Sequence, residues 1–448
     1  MNMARSMVGA LLLLANVSNL HAQESQTARD ERTYVQAGSL LADPASGKVE
    51  RNKTVVIANG KIVEILDGAR GEGNVIGLRD SFVLPGLIDS HTHITFQNGP
   101  TAELDAMKKT TADQALDGVL YARRTLEAGF TTVADLGGNP SAALALRDAI
   151  ARGNFLGPRV IAAGVVGAHG GHADIHGYRP EILTLFAQPG MCSGADDCSR
   201  AVRQAVQRGA DVIKIASTGG VMTNTAAGVG QQMFDEELAA IVRTAHSLGR
   251  RVVCHAHGTD GINAALRAGV DGIEHGTYLA DESLRLMKAR GVYLVPTLLA
   301  GETVRRQAQT APWMPPNVKK KALEVGPSMI SALRRAREAG VMVAFGTDSG
   351  VSEHGINAQE FALMVQAGYS PLDAIRSATV WGAAHNRMSE QIGEIAIGKA
   401  ADLIAVKGDP LRDVTELERV SFVMKAGQIA KQRPALTGVE ARFSRMHE

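Results

Sequence analysis

The chain has 448 residues, is 45% hydrophobic and 21% charged, and sets 47 Lys and Arg against 46 Asp and Glu. That balance excludes the basic footprint of a nucleic-acid partner, and glycine without a three-residue period excludes a collagen-like chain. Aromatic residues at 4% beside 48 glycines point to small repeated units, and three cysteines are too few for a disulfide scaffold.

Residues 1–22 read as a secretory signal, with Arg5, an apolar run over Val8–Val17, and Leu20-His21-Ala22 as a cleavage site before Gln23. The run is shorter than the ~20 residues that span a bilayer. The expectation is therefore an exported chain, periplasmic or secreted, with no membrane attachment once the signal is removed. Residues 23–84 pattern as β-structure, with Thr54–Ala58 and Lys61–Leu66 joined by the hairpin pair Asn59-Gly60. Over 85–390, short apolar runs alternate with helical patterns such as Phe234–Leu248, which stops at Gly249. The runs are Phe82–His91, Phe130–Asp135, Arg159–Val166, Asp211–Ala216, Arg251–His255, Gly272–His275, Val292–Pro296 and Met342–Thr347. Eight strands apolar on both faces predict an α/β fold, a TIM-like (β/α)8 barrel. Residues 391–433 are β again, over Gly393–Ile397, Asp402–Val406, Val420–Lys425 and Gln428–Ala430. Neither flank can bury a core alone, so both ends are expected to build one small β-sandwich. Residues 434–448 form an unpatterned tail, a loop or a short docking helix.

Residues of metal-ligand type fall at the C-terminal ends of the strands, the face that carries the active site of such a barrel. His91-Thr92-His93 closes the first run, and alternate residues of a strand share a face. His255 and His275 end the fifth and sixth. Any one of them could be a packed core histidine, but four at matching strand ends are not explained by packing. Lys214 interrupts Asp211-Val-Ile-Lys-Ile-Ala, where burial penalises an unpaired ammonium. A salt bridge would satisfy it; so would reaction with CO2, which makes it an anionic oxygen ligand able to bridge two metals. Asp348, in Gly346-Thr347-Asp348, ends the eighth run as a helix cap or as a ligand and proton shuttle. Cys192 and Cys198 lie close together in a polar stretch, as a disulfide or as two free thiols, and Cys254 reads as a buried, inert thiol.

Pro85-Gly-Leu-Ile-Asp-Ser-His91-Thr-His93, Lys214, His255, His275 and Gly346-Thr-Asp348 together resemble the amidohydrolase superfamily in its two-metal form. Ser377-Ala-Thr-Val-Trp-Gly-Ala-Ala, Gly393-Glu-Ile, Gly398-Lys-Ala-Ala-Asp402 and Phe422-Val-Met-Lys-Ala-Gly427 extend the likeness to about residues 34–430. Leu126-Glu-Ala-Gly-Phe-Thr-Thr-Val, Gly170-Gly-His172-Ala-Asp174, Ser217-Thr-Gly-Gly-Val-Met222 and His255-Ala-His257-Gly resemble the Xaa-Pro dipeptidase and carboxypeptidase-like branch, to which fungal ochratoxinase is similar. Ala134 and Ala173 stand where that branch often has Arg and Gly, which bears on substrate contacts and not on the metals.

The resemblance implies two divalent ions, Zn2+ by ligand chemistry. His91, His93 and Asp348 would hold one, His255 and His275 the other, and carboxylated Lys214 would bridge them. It implies hydrolysis of the amide bond to a C-terminal amino acid, in Xaa-Pro dipeptides or N-acyl amino acids such as ochratoxin A. Asp348 would be the proton carrier and His257 the residue beside the oxyanion or an orienting group. His172 would hold the substrate carboxylate, with His169, His257, Met222 and Tyr278 as further contacts. His176 and His354 are weaker candidates of the same kind. A homo-oligomer is implied, an octamer among the forms. The alternatives are a one-metal cyclic-amide hydrolase of the imidazolonepropionase type, against which Lys214 argues, and a non-catalytic member, against which all six ligands argue.

Overall fold

The computed structural model describes residues 32–432 apart from His176 and residues 224–226. The signal segment 1–22 and the tail 434–448 lie outside the described residues. At the N-terminal end, β1 (Thr33–Leu40), β2 (Glu50–Ala58), β3 (Lys61–Asp67) and β4 (Asn74–Pro85) follow one another. Asn59 and Gly60 connect β2 to β3 at φ 51° and 74°, the left-handed pair that a two-residue hairpin turn requires.

The barrel follows as β5 (Leu87–Thr92), β6 (Phe130–Asp135), β7 (Arg159–Ala168), β8 (Met191–Cys192), β9 (Val212–Ala216), β10 (Val252–Ala256), β11 (Gly272–His275) and β12 (Tyr293–Val295). Strands pair in parallel in the order β12-β11-β10-β9-β7-β6-β5, and β8 is a short extension paired to the end of β7. Every residue of β6, β9, β10 and β11 is buried, as expected of strands covered by helices outside and side chains inside.

The expected eighth strand is present as a connection rather than a ladder. Leu294 N–H donates to Met342 O (2.9 Å) and Ala344 N–H to Leu294 O (3.0 Å) on one side. On the other, Ser90 N–H donates to Phe345 O (2.8 Å) and Asp348 N–H to His91 O (2.7 Å). A side chain at Gly346 would come within 2.3 Å of Val295, and Asp348 and Gly350 turn the chain at φ 58° and 116°. The barrel is thereby nearly closed, without regular strand geometry at the seam.

The C-terminal end returns as β13 (Leu403–Val406), β14 (Phe422–Lys425) and β15 (Gln428–Gln432), giving one mixed sheet in the order β15-β14-β13-β4-β1-β2-β3. Both chain ends build it, as expected, although as one continuous sheet in which β1 and β4 run parallel. The stretch 393–397 is not a strand. With Gly393 and Gly398 at φ 98° and 89°, it curls so that Gly398 N–H donates to Ile62 O (2.8 Å) and Ile62 N–H to Lys399 O (2.9 Å). The sheet thus folds back over its own core, which includes Val35, Val55, Ile57, Leu403, Phe422 and Met424.

The run 82–91, expected as one strand, divides at Pro85-Gly86, where Gly86 N–H donates to Asp402 O (2.9 Å). Thr131 lies against Gly86 so closely that a Cβ there would meet its Oγ1 at 2.2 Å. This crossing hands the chain from the sheet to the barrel. Cys192, at the end of β8, is disulfide-bonded to Cys198 in the helix Ala195–Gln207. Both are fully buried, so the bond belongs to the barrel wall and not to a solvated loop. Cys254 is a buried free thiol, pushed up to about 11 chiefly by burial.

Candidate metal centre

Three residues at the C-terminal rim of the barrel hold left-handed backbone without being glycine: His275 (φ 69°), Thr297 (φ 50°) and Asp348 (φ 58°). Each such residue costs roughly 1–3 kcal/mol, and strain of that kind collects where a side chain must be aimed. Here the strand is broken so that an imidazole and a carboxylate turn inward over the mouth.

Asp348 Oδ1 lies 2.8 Å from His93 Nε2 and 3.4 Å from His91 Nε2. Lys214 Nζ is 3.3 Å from the same His91 nitrogen. Ligand atoms of His91, His275 and Asp348 lie within 4.8 Å of one another, and so do those of His255, His257 and His275. The structure therefore brings together all six predicted ligands, with two refinements. His275 belongs to both triads, and His257 stands among the ligand-type atoms as well as beside them. All of these side chains line one cleft of about 1570 Å³.

The donor set fits divalent metal ions. Asp348 Oδ1, despite its short approach to His93, accepts no hydrogen bond among the described residues. Burial first, and cationic neighbours second, hold His91 well below its usual pKa; burial and the neighbouring imidazoles do the same for His255 and His275. Neutral imidazoles offer a lone pair. The opposite nitrogens are occupied: His91 Nδ1 is 2.7 Å from Glu274 Oε2, His275 Nδ1 is 2.7 Å from Thr297 Oγ1, and His257 Nδ1 is 2.7 Å from Thr277 Oγ1. The Glu274 carboxylate makes His91 Nδ1 the donor, and the two hydroxyls orient the other rings; all three leave Nε2 facing the shared space, the arrangement that metal-ligating histidines use. Burial also lowers Lys214, against the pull of Glu274 and Asp348.

Glu274, Thr277 and Thr297 were not singled out from the sequence. Glu274 carried a usable signal, a carboxylate inside the buried run Gly272-Ile-Glu-His, by the same logic that exposed Lys214. It is fully buried and burial raises it to about 7. The threonines carried none, since a hydroxyl two residues past a strand end is commonplace. Asp89, on the strand of His91, ties that strand to the eighth run, accepting from Thr347 Oγ1 (2.6 Å), Asn357 Nδ2 (2.8 Å) and His91 N–H (3.1 Å).

His172 and Met222 line the cleft. The His172 ring stacks on His255 at 4.0 Å and 22°, its Nδ1 is bonded to Thr223 Oγ1, and burial brings it down to about 4. Two expected contacts are placed elsewhere. His169 is outside the cleft wall, partnered with Ser193 Oγ at 3.0 Å, because β8 draws its backbone N–H to Cys192 O. The Tyr278 side chain is also absent from the wall and turns toward Ser328, since its N–H is tied to His257 O. His354 is buried behind the rim, donating to Phe96 O at 2.9 Å and stacking on Tyr121, which makes it a support of the mouth. His176 lies outside the described residues.

Comparison with known proteins points the same way. The amidohydrolase family pattern matches residues 82–430. Ochratoxinase of Aspergillus niger is 31% identical over 429 residues, covering 89% of this chain and 86% of its own. The crystal structure of a Xaa-Pro dipeptidase with methionine bound in its active site superposes with a TM-score of 0.84 at 39% identity, covering 89% of this chain and 99% of that one. A prolidase complexed with N-methylphosphonate-L-proline gives 0.81 at 29% identity, with 90% and 100% covered.

Proposed function

This chain belongs to the amidohydrolase family and is a hydrolase of amide bonds, and on that premise we propose that it cleaves the bond to a C-terminal amino acid. Its substrates are Xaa-Pro dipeptides and N-acyl amino acids with a bulky acyl group, ochratoxin A among them. The observation that carries the reading is the pair of ligand triads sharing His275, with Lys214 beside His91. The relatives named above, an ochratoxinase, a Xaa-Pro dipeptidase and a prolidase, support it.

His91, His93 and Asp348 would hold one divalent ion and His255 and His275 a second, with Lys214 bridging them once carboxylated by CO2. When bound, such ions lower the pKa of a water to about 7 and polarise the scissile carbonyl. Zn2+ suits the nitrogen and oxygen donors. Asp348, whose Oδ1 is free of hydrogen bonds, takes the proton of the attacking water. It then delivers that proton to the leaving nitrogen, which departs only as the protonated amine. His257, fixed by Thr277, stands beside the position where charge develops on the carbonyl oxygen. His172 and Met222 line the cleft and would contact the amino-acid side of the substrate. In the same reading the mature chain is exported, where the Cys192–Cys198 bond persists, and assembles as a homo-oligomer.

A panel of dipeptides and N-acyl amino acids, followed by amine release with and without chelator, tests this. Hydrolysis should disappear with chelator, return with Zn2+, and be absent in Lys214→Ala. Turnover that survives chelation, or an inactive wild type across the panel, would remove the reading. Two metal ions per chain rather than one separate it from a one-metal cyclic-amide hydrolase.

A further inference from the structure

Among the imidazoles around the shared space, His91, His257 and His275 are each held from behind, by Glu274, Thr277 and Thr297. His93 is not. Its Nδ1 is buried and has no hydrogen-bond partner among the described residues, while its Nε2 lies 2.8 Å from Asp348 Oδ1. It also stands one residue past the end of β5, beyond the ladder that β5 makes with β6. A ligand imidazole without an outer bond is free to change rotamer, and metal affinity suffers when its orientation is lost. Something other than a bond to Nδ1 must set this ring.

The end of β6 supplies it. Asp135, the last residue of that strand, pairs in register with Thr92. Leu136 N–H donates to Thr92 O (2.8 Å), and Ile94 N–H donates to Asp135 Oδ1 (2.8 Å). The residues on either side of His93 are therefore pinned to two consecutive residues of one strand end. The His93 N–H itself donates to Ser349 O (2.6 Å) across the seam. Gly137 completes the seat: a Cβ there would meet His93 Cε1 at 2.7 Å and Nδ1 at 2.9 Å, so bare backbone backs the ring. Of the three hydrogen bonds, the one to Asp135 alone depends on a side chain. Asp135 is 3% exposed, in a strand buried throughout. A carboxyl in that place is costly, and among the described residues its hydrogen-bond partner is the Ile94 N–H.

We propose that Asp135 is a positioning residue for His93: by holding the Ile94 N–H it fixes the turn of backbone that aims the imidazole at the ion shared with His91 and Asp348. The proposal rests on the ligand assignment in the function read above and extends it to how one ligand is aimed. Asp135 acts as a hydrogen-bond acceptor, so a neutral amide oxygen in the same place serves as well as the carboxylate.

The test titrates metal-free wild type, Asp135→Asn and Asp135→Ala with Zn2+ against a chromophoric chelator and counts the ions bound per chain. In Asp135→Ala one of the two ions should bind about 10- to 100-fold more weakly, the loss that follows removal of a group orienting a ligand, while the other loses far less. Asp135→Asn, whose amide oxygen can still accept from Ile94, should bind both as wild type does. If Asp135→Ala weakens both ions equally, or neither, Asp135 is a structural tie and the proposal is overturned while the hydrolase reading stands. An Asp135→Asn as defective as Asp135→Ala overturns it in the same way, since charge and not the acceptor would then hold the site. A wild type that binds no divalent ion overturns both. Asp135→Ser takes the place of Asp135→Ala if the latter does not melt cooperatively, because its hydroxyl stops one bond short of the carboxylate oxygen.

Discussion

Lys214 and Glu274 interrupt buried strands by the same rule, yet only the lysine stood out in the sequence. A lysine inside a strand buried on both faces is costly in any form. A glutamate one residue before a candidate ligand is easily read as a surface residue of a strand end. In the folded barrel it is an anchor, since Oε2 holds His91 Nδ1 at 2.7 Å and Glu274 is 0% exposed. Replacing such an outer partner commonly costs 10- to 100-fold in metal affinity, a loss of about 1.4–2.7 kcal/mol. Glu274→Gln should accordingly weaken Zn2+ binding by about that factor in a competition titration with a chromophoric chelator, with the fold intact by circular dichroism. Wild-type affinity in the variant would show that His91 needs no carboxylate to hold its orientation.

At the scale of elements, short apolar runs alternating with helical patterns were legible almost to the residue. Phe130–Asp135 and Gly272–His275 have the expected limits, and the helix Asp235–Ser247 stops before Gly249 as its pattern requires. The eighth run was legible in its place but not in its irregular pairing, since left-handed Asp348 and Gly350 turn the chain just beyond it. The stretch 393–397 reads like a strand but is bent by left-handed Gly393 and Gly398 at its two ends. Contacts between elements distant in sequence were equally hidden. Glu360, fully buried in the helix Gln359–Gln366, accepts the N–H groups of Leu298 (2.9 Å) and Leu299 (2.6 Å) at the start of the helix Leu298–Thr310. It thus anchors the turn that carries Thr297 and, through it, His275. Glu360→Ala orphans two buried donors, at ~1–3 kcal/mol each, and should lower stability by that order in urea unfolding. The same carboxyl is raised from 4.5 to about 8, by burial first and against the pull of the two N–H groups. A raised folded-state pKa gives stability that is complete below about 4.5 and is lost as pH rises through about 8. Wild-type stability should thus decline over that window more steeply than that of Glu360→Ala. Parallel pH profiles would show that the carboxyl does not titrate with folding.

For the whole molecule, the near-zero charge and the scarcity of aromatic residues describe a barrel layered with Val, Ile and Ala and opened at one rim. The wall of that opening includes Gly190 and Met191, which lead directly into Cys192. The disulfide to Cys198 ties this edge to the helix Ala195–Gln207 and lies fully within the packed wall. Closing so short a loop constrains the unfolded chain by about 2–3 kcal/mol in the chain-entropy account. Cys254, the other cysteine, is buried and unpaired, so reductant acts on stability through this bond. Wild type should therefore melt a few degrees lower in reductant than without it, in line with roughly 1 °C per kcal/mol for a chain of 448 residues at an unfolding entropy of about 2.1 cal/mol/K per residue. The double variant Cys192→Ser with Cys198→Ser should melt at the reduced temperature in both conditions. Because Gly190 and Met191 line the cleft, the reduced protein should also show a higher KM with kcat little changed. If wild type melts alike in both conditions and keeps its KM, packing around β8 holds the wall without the bond, and the disulfide adds nothing to the shape of the cleft.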